Sequence, residues 1–177
     1  MALRDQLQAE PAADTTIPAV QPDTSAQLLL LSLAGLSAGA AGIHFAVIPE
    51  HLTELPLAGY FFIAVAIAQA LWAILVPRYP TRGLLLAGAV GNLLVAALWL
   101  FVRLRGLPLG EEPWTPERFG FADTVSAAFE VAIAFGVAAL LTRVHLPVRR
   151  LATPAVFMAL LLIAITGAAL LNITMSE

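Results

Sequence analysis

The 177-residue chain is 60% hydrophobic and 12% charged, with a mean hydropathy of +0.88, against roughly 45–50% apolar and about 25% charged residues in an ordinary soluble domain. A globule of this size cannot bury that excess, which falls in long uninterrupted apolar blocks, so the composition excludes a water-soluble fold and points to an integral membrane protein. The chain has no cysteine, its nine basic residues are all arginine, and its net charge is -3; thiolate metal sites, disulfides, a Schiff-base lysine and a nucleic-acid partner are therefore excluded.

Residues 1–25 are rich in Pro, Asp, Thr, Ala and Gln without helical periodicity, which predicts a disordered N-terminal tail. An acidic, proline-containing stretch precedes the first apolar block, the reverse of a signal peptide's order. Five blocks then follow, at 26–48, 57–76, 83–102, 121–142 and 152–171. At about 1.5 Å per residue, some 20 residues cross a hydrocarbon core of about 30 Å. The expected fold is thus all-α, an integral membrane bundle of five transmembrane helices in residues 26–177, with the termini on opposite sides. Prolines 49, 56, 77, 80, 108, 113, 116, 147 and 154 fall in connections or at helix starts, where a missing N–H is tolerated.

Cytoplasmic loops hold an excess of positive charge. The tail and the second and fourth loops carry Arg4, Arg78, Arg82, Arg143, Arg149 and Arg150, against Arg103, Arg105 and Arg118 on the other side. That asymmetry predicts a cytoplasmic N-terminus and an extracytoplasmic C-terminus. Trp72, Trp99 and Trp114 fall near block ends or in the long third loop, as membrane-interface anchors do.

In the first block Gly35 and Gly39, and Ala38 and Gly42, are each four apart. Small residues at that spacing let helix backbones approach closely in lipid; either another span of the same chain or a second copy satisfies the pattern.

The next stretch, IHFAVIPEHLTELP, places His44 near the outer end of helix one and Glu50, His51 and Glu54 beyond Pro49. If the helix continues through Pro49, His44, His51 and Glu54 share one face. Ionisable side chains at membrane depth are expensive and mark functional sites, and imidazole with carboxylate suits Zn, Cu, Fe, Ni or Mn. On the fourth block Asp123 and Glu130 are seven apart, and Glu130 lies about 13 Å inside the block's start. A carboxyl at that depth needs either a proton or a partner.

Counted from the same side, Gln69 and Asn92 lie at depths similar to Glu130, with Ser37 and Thr166 able to join them. The expectation is an outer site of His44, His51, Glu50, Glu54 and Asp123 above an inner layer of Gln69, Asn92 and Glu130. Its metal ligands would be His44, His51, Glu54, Asp123 and Glu130, with Glu50, Gln69 and Asn92 in support. His145 lies on the other side, too far from His44 for bis-histidine haem ligation.

The segments IHFAVIPEHLTELPLAGYFF, LWLFVRLRGLPLG and GFADTVSAAFE resemble those of a group of small, uncharacterised multi-pass membrane proteins of high-GC Gram-positive bacteria. The resemblance implies a bacterial plasma membrane and brings no activity with it. No nucleophile stands in a pattern with its base, so a non-enzymatic role is expected. Two readings remain open. One is a site that binds, conducts or delivers a divalent transition metal or a proton, in a homo-oligomer or alone. The other is an accessory or scaffold subunit of a larger membrane complex, in which the same residues tie helices together.

Overall fold

The computed structural model describes residues 24–110 and 113–142, which form four helices: α1 (Thr24–Glu54), α2 (Pro56–Leu75), α3 (Arg82–Arg105) and α4 (Phe121–Leu141). All four are long and apolar enough to cross a membrane. The expected span at 152–171 and residues 1–23 of the expected 1–25 tail lie outside the described residues, while Thr24 and Ser25, expected in the tail, are the first residues of α1.

The four apolar blocks among the described residues form helices because lipid offers no partner to backbone N–H and C=O groups, so a spanning segment must satisfy them internally. α1 differs most from the expected span, running past Pro49 to Glu54. The proline removes one backbone donor, but the polar Glu50, His51, Thr53 and Glu54 that follow continue the helix as a tip beyond the apolar stretch. Leu55 alone separates α1 from α2. It takes the extended conformation, φ -146°, that the ring of a following proline enforces, and Pro56 opens α2 at a position that needs no donor.

At the other connections, the Thr81 hydroxyl accepts from Leu84 N–H at 3.3 Å to start α3. Gly106 ends α3 with φ +73°, a left-handed conformation that residues with a Cβ avoid.

α1 packs against both α2 and α4, α3 packs against α4, and α2 meets α3 at only a few points. One end of the bundle holds the start of α1 and the end of α4. Leu33, Trp72, Val76, Leu85, Ile133 and Val137 form a core there, flanked by Leu29, Leu30, Leu140 and Leu141. Towards the opposite end, Ala40, Ile43, Ala122 and Phe129 form a second core.

Trp72, expected at the membrane interface, is instead 6% exposed in the first of these cores. Its indole N–H donates to the Leu84 carbonyl at 2.8 Å. Gly88 makes the room, since a Cβ there would lie 2.2 Å from the indole nitrogen. Trp114 matches the expectation better, lying exposed in the α3–α4 loop.

Polarity is distributed opposite to that of a soluble bundle. Leu31, Phe45, Ile67, Leu71, Leu94 and Phe135 are exposed, while Ser37, His44, Gln69, Asn92, Ser126 and Glu130 are buried. In water such an exterior would aggregate; in a bilayer it is the solvated face, and the polar groups are sheltered from lipid. The chain is a multi-pass membrane protein.

Candidate functional site

The buried polar side chains converge at one place, where all four helices contribute. His44 on α1 lies ten residues from the end of its helix and Glu130 on α4 nine residues from the start of its own. At about 1.5 Å per residue they sit some 15 and 13 Å in from the same end. Gln69 on α2 and Asn92 on α3 are each thirteen residues from that end, or about 20 Å, roughly one helical turn deeper.

His44 Nε2 and Glu130 Oε1 are 2.9 Å apart, with side chains 7% and 1% exposed. Ser126, one turn before Glu130 on the same helix face, places its Oγ 3.2 Å from the same imidazole nitrogen. Gln69 Nε2 lies 3.1 Å from Glu130 Oε1 and 3.1 Å from Asn92 Oδ1. Asn92 Nδ2 donates to the Gly88 carbonyl at 2.8 Å, and the Ser37 hydroxyl donates to the Gln69 carbonyl at 2.8 Å.

The direction of this chain of hydrogen bonds follows from its end. The Gly88 carbonyl can only accept, so the Asn92 amide must turn its NH2 towards it and its oxygen towards Gln69. Gln69 must then present its NH2, whose two hydrogens go to Asn92 and to Glu130. Glu130 Oε1 therefore accepts from Gln69. Towards His44 either group supplies the proton: the imidazole N–H donates to the carboxylate, or the carboxylic acid donates to the imidazole. Which of the two donates across the 2.9 Å contact depends on the imidazole tautomer. Gln69 Oε1 is buried with no hydrogen-bond partner among the described residues, an unused acceptor inside the network.

The remaining predicted site residues stand apart from this pair. His51 Nδ1 lies 3.9 Å from Glu54 Oε2, one turn away on the tip of α1, and its ring stacks on Phe62 at 4.5 Å between centroids. His44 leans on Phe62 as well, at 5.3 Å, so the phenyl ring lies against both imidazoles. Glu50 is exposed on the same tip. Asp123 is held by Arg103, whose guanidinium also pairs with Glu117 of the α3–α4 loop.

The expected layers are redrawn accordingly. His44 belongs with Glu130, because α1 continues to Glu54 and leaves His44 well inside the bundle. Asp123 belongs to an arginine clasp between α3, α4 and their loop. Ser126 and Phe62 were not picked out in the sequence, and Arg103 was counted only towards topology. The i, i+4 spacing to Glu130 was a legible signal for Ser126; nothing local marks the other two.

Among the described residues no group of three or more His, Asp or Glu side chains is placed to share a metal ion. Thr166 and His145 lie outside the described residues. What the arrangement offers chemically is an imidazole–carboxyl pair sheltered from lipid and water, with an amide and a hydroxyl to orient it. Compared with protein families, curated proteins and solved structures, the chain matches none.

Proposed function

We propose that this is a membrane protein that binds a proton at the His44–Glu130 pair and conducts it through the bundle from the extracytoplasmic side. The observation that carries the reading is that a fully buried carboxyl contacts a buried imidazole at 2.9 Å. Ionisable pairs at this depth are a recurring feature of proton relays. The divalent-metal form of the site, with Zn, Cu, Fe, Ni or Mn on His44, His51, Glu54, Asp123 and Glu130, would require those side chains to leave their present partners. The proton form requires no rearrangement of ligands.

The proposal includes a fifth span at 152–171, a cytoplasmic N-terminus, an extracytoplasmic C-terminus and a bacterial plasma membrane, in line with the apolar block, the arginine asymmetry and the resemblance.

A second reading, an accessory or scaffold subunit of a larger complex, is favoured by one observation: the same network ties all four helices together. Proton movement into liposomes holding the purified protein, driven by a potassium diffusion potential and followed with an interior pH dye, separates the two. Flux in the wild type that is lost in Glu130→Gln and in His44→Ala, with helicity retained, is the expected result. Absence of flux in the wild type overturns the proton reading and leaves the scaffold. Metal analysis of the same preparations covers the other branch: stoichiometric metal in the wild type, lost in His44→Ala and His51→Ala, would replace the proton with a metal ion.

A further inference from the structure

Glycines inside this bundle divide into two kinds. A Cβ on Gly59 would fall 2.5 Å from Leu52, on Gly88 2.2 Å from Trp72, and on Gly136 2.4 Å from Leu33. Each of these allows a close approach within the four described helices. Gly35 and Gly42 on α1 allow none, because a Cβ on either meets nothing within 4 Å. They line a groove of about 530 Å³ between α1 and α2, together with Ala34, Ala38, Ala70 and Ala73. Its lining carries no charged or hydrogen-bonding side chain, and its large side chains are Phe45 and Ile74 alone. A surface of small side chains makes few contacts with mobile lipid tails but admits a helix backbone closely.

The chain itself supplies an occupant. Residues 152–171 are some 20 apolar residues without a charge, among them Ala159, Ala164, Gly167 and Ala168. α4 ends at Leu141 beside Leu29 and Leu30 of α1, and the groove begins at Ala34, about one turn further along α1. The nine intervening residues 143–151 can span up to about 30 Å, whereas packed helix axes lie only about 8–10 Å apart. The chain therefore leaves α4 at the end of the bundle where the groove begins, with ample reach for the segment that follows.

We infer that the segment 152–171 seats in the α1–α2 groove against Gly35, Ala38 and Gly42, closing the bundle as its fifth member. The inference rests on the fifth span proposed above, and the test distinguishes failure of either.

The natural chain has no cysteine, so engineered pairs report without background. In the full-length protein in membranes, Ala38→Cys is combined in turn with cysteine at each position from 160 to 168. Gly35→Cys, where a side chain meets open space, repeats the series in case Ala38→Cys does not fold. A protease site inserted between residues 110 and 113 separates the two halves, so an intrachain disulfide leaves them joined after cleavage. The expected result is intrachain crosslinking at every third or fourth position, abolished by Gly42→Leu, which fills the groove. Disulfide-linked dimers in place of intrachain bonds overturn the inference in favour of a second copy. No crosslink at any position overturns it in favour of lipid. In the single variant Ala164→Cys, shielding from a water-soluble maleimide keeps the span itself; ready labelling removes the span along with the docking.

Discussion

The indole of Trp72 occupies the space that a side chain on Gly88 would need, 2.2 Å from where its Cβ would stand, and this contact is one of the few places where α2 meets α3. The Trp72 N–H is at the same time bonded to the Leu84 carbonyl one turn before Gly88. Gly88→Ala should therefore push the ring out of its site and break that bond. We expect a loss of about 1–3 kcal/mol, the range for overpacked cores, read as a lower midpoint of unfolding by denaturing detergent. An unchanged midpoint would show that the helices move apart without cost.

Removing one member of the buried pair should be worse than removing both. Glu130→Leu takes from His44 and Gln69 the carboxyl they share, leaving His44 only Ser126 and Gln69 only Asn92, and an unsatisfied buried group costs about 1–3 kcal/mol. His44→Phe combined with Glu130→Leu removes the polar requirement at the pair. A double-mutant cycle in detergent should give a coupling of about 0.5–3 kcal/mol, whereas simple additivity would mean the two groups do not interact.

Arg103 joins α3, α4 and the loop between them through Glu117 and Asp123. Glu117 is 51% exposed, so its pair is screened by solvent, and both partners of Arg103 lie at the α3–α4 end of the bundle, so the effect should be local. Arg103→Ala should speed proteinase K cleavage within residues 106–120 severalfold and leave the global unfolding midpoint nearly unchanged. Equal cleavage rates in variant and wild type would show that the backbone contacts of the loop, such as Trp114 N–H to the Leu107 carbonyl at 2.7 Å, hold it unaided.

Phe62 lies against both His44 and His51, and only His51 is partly exposed. Diethyl pyrocarbonate should modify His51 readily and His44 slowly, as read by peptide mass mapping. In Phe62→Ala the reactivity of His44 should rise towards that of His51, while Phe62→Leu, which keeps bulk, should retain most of the protection. A His44 that stays inert in Phe62→Ala would place its shelter in α4.

The four spans were legible because a bilayer demands about 20 apolar residues in succession, and α2, α3 and α4 begin and end within three residues of the expected limits. Depth counting also brought Gln69, Asn92 and Glu130 to within about one helical turn of one another, close enough for hydrogen bonds to join them. His44 and Glu130 were expected as ligands of one site but in different layers, and Pro49 is the reason. Taking the proline as the helix end puts His44 near the surface; the polar tip that continues to Glu54 sinks it by about two turns. Arg103 counted towards topology, which weighs charges by side of the membrane and is blind to the carboxylates they meet. Trp72 was misplaced for a related reason: its position near a block end resembles an anchor's, and the cavity left by Gly88 comes from a different helix.

The single extended residue at Leu55 has a mechanical consequence. With so short a hinge, α1 and α2 tilt as one lever, and α4 is fastened to α1 along its length. The border between α2 and α3 is sparsely packed and is stitched by Gln69 to Asn92 and by Trp72 to Leu84. Amide exchange on the α2-facing side of α3 should accordingly outpace that on α1, which packs against two helices.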